Sequence, residues 1–269
     1  MKKIISFAVV LMLMASIAAF GGGRRETPSG PGAQVELVVF AAASMMNTLE
    51  EIAVLYREVA PNVRLVFNFD SSGTLRTQII EGAHCDLFFS AAPLQMNQLE
   101  EAGFILQGTR LNLLQNRVTL TVPRGNPGGI TSFNNLAQRL RNNENILLAM
   151  GNRDVPVGQY TQLIFDYFSL NETVLANNGR LTYGSNVREV ATHVLEASVS
   201  AGIVYETDAF SVGLQIVDYA TSEMCGQILY PAAVLNISNH EREARAFLAY
   251  LQTAPAISVF ESVGFALIR

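Results

Sequence analysis

The chain has little of what several protein classes require. Its 269 residues include no tryptophan, two cysteines and three histidines, and 15% of them are charged. Two cysteines are too few for a disulfide scaffold. The histidines His84, His193 and His240 lie in separate segments without the spacing of metal ligands. GxSxG, HExxH and P-loop motifs are missing too, so we expect no catalytic residues and no direct metal-cation ligands.

Clustered basic charge is also missing. The formal net charge is −5, and it becomes −7 if Lys2 and Lys3 are removed with an N-terminal signal. Nucleic-acid binding needs clustered Lys and Arg to neutralise phosphates, so nucleic acid is not an expected partner. A small anion stays open as a ligand, because helix dipoles and neutral donors hold an anion without a side-chain cation.

The N-terminus predicts export. Lys2 and Lys3 precede an apolar stretch over residues 4–15 and small residues up to position 19, which is typical of a signal peptide over residues 1–19. The alternative is a membrane anchor, but the stretch is short for a span of ~20 residues. Residues 20–34 are predicted to be a flexible linker. A lipid anchor would need a cysteine just after the signal, and none is there, so we expect a periplasmic or other extracytoplasmic protein.

Strand-like and helix-like runs alternate along the rest of the chain, which is typical of an α/β protein with parallel sheets. The strand-like run Val35–Phe40 is followed by a helical run over Met46–Val59, and the strand-like run Val63–Phe69 by one over Leu75–Glu81. Asn116–Val122 is predicted to be one strand. The pattern predicts two lobes, each a mainly parallel sheet flanked by helices. Lobe 1 comprises residues 35–116 and 227–269, and lobe 2 comprises residues 117–226.

Small residues and hydroxyls recur where a strand leads into a helix. They occur in Ala41–Ser44 (AAAS), in Ser71–Thr74 (SSGT), at Val157-Gly158 and at Val187. A helix start offers free N–H groups and the positive end of its dipole, which suit an anion. Several such starts in one protein favour an oxyanion pocket. The alternative is that Ser44 and Ser72 only cap helices.

Several segments resemble the periplasmic molybdate-binding proteins of ABC importers. They are VVFAAASMMNTLEEIA, FNFDSSGTLRTQIIEGAHCDLFFSA, GNRDVPVGQYTQ, NVREVATHVLEASVSAGIVYETDA and AFLAYLQTAPAISVFESVGF. The similarity runs in order from about Val35 to Phe265. It implies a two-lobed type II periplasmic binding protein fold with the ligand in the cleft.

The resemblance also implies the residues that hold the oxyanion. Ser44 and Ser72 would each give a hydroxyl and a backbone N–H, Val157 and Val187 a backbone N–H each, and Tyr205 a phenol O–H. On composition alone, Tyr205 is a packing residue. Gly73 stands where the family often has a third serine, and Met45 where leucine is frequent. We expect Asp70, Arg76, Arg153, Asp154 and Arg188 to form salt bridges at the rim.

The expected function is capture of molybdate or tungstate for an ABC transporter permease, by a monomer without a cofactor that meets the membrane only through that permease. One alternative is a receptor for another oxyanion such as sulfate. A second is an exported enzyme with Ser44 as nucleophile, which would need a base beside it. A third is a receptor for a cation or an organic acid. A pocket of donors alone should exclude protonated phosphate, unless Asp70 or Asp154 lines it.

Overall fold

The computed structural model describes residues 34–268. The predicted signal peptide, residues 1–19, and all but the last residue of the predicted linker, residues 20–34, lie outside this part of the chain. Within residues 34–268, no helix is both long and apolar enough to cross a membrane.

The strands and helices alternate as the sequence predicts. The strands are β1 (Val35–Ala42), β2 (Val63–Asp70), β3 (Leu87–Phe89), β4 (Leu111–Asn116), β5 (Val118–Val122), β6 (Leu148–Gly151), β7 (Leu181–Gly184), β8 (Ala201–Tyr205), β9 (Gln215–Tyr219), β10 (Ile228–Val234) and β11 (Ala266–Leu267). The helices are α1 (Met46–Val59), α2 (Ser72–Ile80), α3 (Pro93–Glu101), α4 (Phe133–Arg141), α5 (Pro156–Tyr167), α6 (Glu172–Asn177), α7 (Val187–Leu195), α8 (Glu206–Val212), α9 (Ser222–Cys225), α10 (Glu241–Tyr250) and α11 (Ala254–Ser262). A 3₁₀ turn, Ala43–Met45, joins β1 to α1.

The strands form two sheets, which confirms the α/β class. The first sheet has the order β11-β4-β10-β3-β1-β2, and the second has the order β7-β6-β8-β5-β9. The prediction that each sheet is mainly parallel is wrong, because both are mixed. In the first sheet only the β1–β2 and β1–β3 pairs are parallel, since β10 returns antiparallel to both β3 and β4. In the second, β5 is antiparallel to both of its neighbours.

The chain passes from one sheet to the other at Arg117. Asn116 pairs with Ile228 in the first sheet, and Val118 pairs with Tyr205 in the second. The single strand predicted over Asn116–Val122 is therefore two strands. The first sheet takes its strands from Val35–Asn116 and from β10 and β11, and the second takes its strands from β5 to β9. The lobe boundaries themselves stay a prediction.

Helix α1 shows how local pattern and packing agree. Its buried residues Leu49, Ile52 and Tyr56 recur at three- and four-residue spacing, which places them on one face of a helix. Leu49 and Ile52 are fully buried in the main core. The amphipathic pattern therefore gives α1 a face that packs on the core. This packing also holds the turn that precedes α1, where Ser44 lies.

Candidate functional site

A small cavity lies where the carboxyl ends of β1, β2 and β8 meet the first turns of three helices. The volume open to the centre of a water molecule is about 10 Å³, so the cavity holds about one water. The lining residues are Ala42, Ala43, Ser44, Asp70, Ser71, Ser72, Ala91, Val155, Pro156, Val157, Val187 and Tyr205. The structure thus brings together all five residues predicted to hold an oxyanion, with both sheets contributing.

Ser72 is free of the capping role that its position suggests. The cap of α2 is Ser71, whose hydroxyl accepts from the Thr74 N–H at 3.1 Å. Ser72 is fully buried, and its Oγ accepts from the Ala91 N–H at 3.0 Å. Because that bond uses a lone pair of Ser72, the hydroxyl proton of Ser72 is left to donate into the cavity.

Ser44 caps no helix either. The residues at the cap positions of the 3₁₀ turn and of α1 are Ala42 and Met45, and neither makes a side-chain capping bond. Ser44 Oγ lies 3.0 Å from the hydroxyl of Tyr230, a fully buried residue of β10. Tyr230 was not predicted from the sequence, because it lies 186 residues away and carries no local motif.

Val157 and Val187 line the cavity at the starts of two helices, and the resemblance implies that their backbone N–H groups would bind the ligand. Val157 is the second residue of α5 and Val187 the first of α7, so the helix provides no acceptor for either N–H. Asn186 caps α7 by accepting from the N–H groups of Arg188 and Glu189. Gly158 lets the first turn of α5 lie against β6, because a Cβ there would be 2.1 Å from the Asn152 carbonyl oxygen. Both N–H groups are thus available to a ligand.

Tyr205 reaches across the cavity from the second sheet. Its hydroxyl donates a long hydrogen bond, 3.4 Å, to the carbonyl of Ala91 on the first-sheet side. Burial, with smaller contributions from Tyr230, Tyr160 and Asp208, raises the pKa of Tyr205 well above its usual value. The phenol therefore stays protonated and remains a donor.

Two further contacts join the sides of the cavity. The guanidinium of Arg188 donates to the Ala43 carbonyl at 2.9 Å and to Asn47 Oδ1 at 2.7 Å. Gly73 lies against Asp154, and a Cβ on Gly73 would be 2.1 Å from the Asp154 carbonyl oxygen. The absent side chain at Gly73, where the family often has serine, therefore permits close approach of the two sides.

The rim charges differ from the expectation of salt bridges. Arg153 does pair with Glu172 at 2.8 Å, but Arg188 bonds to a carbonyl and an amide, and Arg76 bonds to Gln98 and Thr77. Asp70 lines the cavity and accepts from the Ser71 N–H through Oδ1. The site is therefore not made of donors alone, because one carboxylate lies at its edge.

Asp208 is a buried acid that interacts electrostatically with Arg188, Tyr205 and Tyr230. Its Oδ2 has no hydrogen-bond partner among residues 34–268. Burial raises its pKa from 3.8 to about 7, although Arg188 opposes the shift. Between pH 4 and pH 7, Asp208 is ionised in the unfolded chain but largely protonated in the folded protein. The free energy of unfolding therefore falls as pH rises through this window.

We accordingly expect Asp208→Asn to raise the melting temperature at pH 8 and to change it little near pH 4. The amide removes the cost of a buried charge, which exists only where Asp208 ionises. Thermal unfolding of both proteins across this pH range measures the difference. A difference independent of pH would show that Asp208 is not the group that titrates.

Both cysteines are free and buried, so the structure contains no Cys85–Cys225 disulfide. Cys85 is fully buried, and burial raises the pKa of its thiol far above the usual range. Such a thiol is unreactive. Within residues 34–268, no group of three His, Cys, Asp or Glu side chains is placed to bind a metal ion.

Two helix-flanked sheets around a small cavity lined by helix starts and hydroxyls are typical of a solute-binding protein, and comparison with known proteins agrees. The model of the bacterial extracellular solute-binding protein family matches residues 37–266. The chain belongs to that family, and its similarity to molybdate-binding proteins of ABC importers is confirmed.

Individual relatives cover nearly the whole chain. The chain is 35% identical to the "Putative ABC transporter substrate-binding lipoprotein YvgL" of Bacillus subtilis, covering 98% of each protein. It is 31% identical to the molybdate-binding protein ModA of Mycobacterium tuberculosis, over 96% of this chain and 95% of that protein. The periplasmic molybdate-binding protein of Azotobacter vinelandii has a similar fold, with a TM-score of 0.75 and 20% identity over 87% of this chain and all of that structure. The chain is thus a solute-binding protein of an ABC transporter.

Proposed function

We propose that this protein captures molybdate or tungstate outside the cytoplasm and delivers the ion to the permease of an ABC transporter. Ser44, Ser72, Val157, Val187 and Tyr205 are its proposed ligands. The convergence of these five neutral donors on one cavity is the observation that carries the proposal. Relatives named as molybdate-binding proteins support the choice of ion.

The size of the cavity supports a small ion over an organic solute. With space for about one water molecule, the two sides must part a little to admit a tetrahedral oxyanion, and they would have to part much further to admit the side chain of an amino acid or a sugar ring. Molybdate, tungstate and sulfate present the same tetrahedral acceptors, so cavity size is what separates them in this proposal.

A binding role suits Ser44 better than a catalytic one. A serine nucleophile needs an adjacent base, but the partner of Ser44 is the Tyr230 hydroxyl. Burial raises the pKa of Tyr230 well above its usual value, so the phenol is a donor at neutral pH. We therefore propose that the protein binds its ligand unchanged. We also propose that it does so as a monomer without a cofactor.

Molybdate and tungstate are expected to raise the melting temperature, whereas sulfate at equal concentration is not. A ligand that binds only the folded state stabilises it by about 2.7 kcal/mol at a hundred times its Kd. A thermal shift series with each anion at constant ionic strength measures this effect. Equal shifts with sulfate would overturn selection by size and favour a general oxyanion receptor.

Asp70→Asn is expected to tighten molybdate binding several-fold at low salt, because it removes a negative charge from the edge of a site for a dianion. The gain should shrink as salt rises, since exposed charges are screened over about 10 Å at 0.1 M. Calorimetry at two salt concentrations tests both expectations. Phosphate binding by wild type that disappears in Asp70→Asn would instead show that Asp70 accepts a phosphate proton.

A further inference from the structure

A chain of hydrogen bonds leads from the crossing between the sheets to Ser44. Asn116 is the last residue of β4, and its Nδ2 donates to Tyr230 at 3.1 Å and to Thr207 Oγ1 at 2.9 Å. The Tyr230 hydroxyl in turn lies 3.0 Å from Ser44 Oγ. Asn116 is 3% exposed and Tyr230 is 1% exposed, so water does not compete with these bonds.

The direction of the bonds that Asn116 makes is determined. The Arg117 N–H donates to Asn116 Oδ1 at 2.8 Å, which places the amide oxygen on that side and Nδ2 toward Tyr230. An amide N–H only donates, so the Tyr230 oxygen accepts from Asn116. The 3.0 Å separation between Tyr230 and Ser44 fits either direction, and donation by Tyr230 is the direction that gives the Tyr230 proton an acceptor within residues 34–268. The proton of Ser44 is left over for the cavity.

We propose that Asn116 and Tyr230 are positioning residues that make Ser44 a hydrogen-bond donor toward the bound anion. This inference rests on the proposed function. The Ala91 N–H donates to Ser72 Oγ and orients the Ser72 hydroxyl in the same way, so in this proposal both serine hydroxyls present protons to the cavity. Such an arrangement favours an oxyanion without protons, because a ligand hydroxyl would meet a donor and leave it unpaired.

Molybdate titration of wild type, Ser44→Ala, Tyr230→Phe and the double variant tests the proposal. Tyr230→Phe keeps the ring, and we expect it to weaken binding about tenfold. If Tyr230 acts through Ser44, the double variant should bind like Ser44→Ala alone, because the two losses share one interaction. Full additivity of the losses, or no loss in Tyr230→Phe, would overturn the proposal.

Tyr160→Phe is the matched control. Tyr160 is also buried and also packs edge-on against Tyr205, with ring centroids 6.3 Å apart, but its hydroxyl lies outside the Asn116–Tyr230–Ser44 chain. Its affinity should stay within about twofold of wild type. An affinity loss as large as that of Tyr230→Phe would mean that removal of any buried tyrosine hydroxyl near the cavity weakens binding. That result would contradict a specific positioning role for Tyr230.

Asn116→Asp tests direction with almost no change of shape. Carboxylate oxygens only accept, so the Tyr230 hydroxyl would turn toward the new carboxylate, and Ser44 would donate to Tyr230 and present a lone pair to the anion. We expect weaker binding than in wild type. The same substitution in Ser44→Ala measures the added charge alone, and an equal loss in both backgrounds would contradict the reversal.

Failure of the proposed function is distinguishable from failure of this inference. If wild type binds sulfate instead of molybdate, the same variants are titrated with sulfate, and the predicted non-additivity is unchanged. If wild type binds none of molybdate, tungstate and sulfate, both proposals are overturned. Melting temperatures without ligand identify any variant that is unfolded.

Discussion

Replacing Ser72 or Ser44 by alanine is expected to weaken molybdate binding about ten- to a hundredfold. Ser72 Oγ accepts from the Ala91 N–H, and in the proposed arrangement Ser44 Oγ accepts from the Tyr230 hydroxyl 3.0 Å away, so each serine directs its proton to the cavity. A hydrogen bond to a charged group is worth about 1.5–3 kcal/mol, and about 1.4 kcal/mol corresponds to tenfold in affinity. Calorimetric titration of each variant measures the loss.

Val157→Ala is the matched control for both serines. Its side chain is fully buried and lines the same cavity, but the proposed donor is the backbone N–H, which alanine keeps. We expect a lower melting temperature and nearly unchanged affinity. Tyr205→Phe should weaken binding, because it removes the hydroxyl that reaches across the cavity. An affinity loss in Val157→Ala as large as in Ser44→Ala would show that the ligands are misassigned.

Gly73→Ala is expected to weaken binding about a hundredfold without destabilising the free protein. The new Cβ would be 2.1 Å from the carbonyl oxygen of Asp154, and a backbone atom cannot rotate away. The two sides of the cavity must then part, which withdraws the donors Val157, Val187 and Tyr205. Loss of contacts worth on the order of 3 kcal/mol gives a hundredfold change.

We expect the free protein to relieve the same clash by parting its two sides, which leaves only the local effect of the substitution on stability. Gly73 lies inside helix α2, and alanine is more favourable there than glycine by about 0.5–1 kcal/mol. Melting curves without ligand should therefore show an equal or higher melting temperature for Gly73→Ala, and small-angle scattering with molybdate should show a more open molecule. Wild-type affinity in this variant would mean that close approach of Gly73 and Asp154 is not needed for binding.

Local pattern predicted the elements that carry the site. The helix over Met46–Val59 has the predicted bounds, because its apolar spacing and its packing face agree. Asn186 followed three residues later by Glu189 is a pattern typical of a helix start, and α7 begins directly after Asn186. Strand direction was not predictable, because the antiparallel return of β10 beside β3 and β4 depends on residues more than a hundred positions apart.

The site was predictable only in part for a related reason. Resemblance pointed to Ser44 and Ser72, but their hydrogen-bond partners Tyr230 and Ala91 are set by tertiary structure. The sequence predicts that Asn116 begins a strand, whereas it ends β4 and bonds to Thr207 and Tyr230, on the two sides of the crossing. Backbone donors such as the Val157 N–H leave no mark in the side chain, so only the resemblance points to them.

The most direct test is the metal content of the protein after competition. Purified protein is incubated with an equal amount of molybdate and about a hundredfold excess of sulfate, separated from free ions and measured by elemental analysis, because specificity is a difference of affinities. The account predicts close to one molybdenum per chain in wild type and a marked loss in the Ser44→Ala, Ser72→Ala double variant. Wild-type protein that retains no molybdenum, or a double variant that retains as much as wild type, would contradict it.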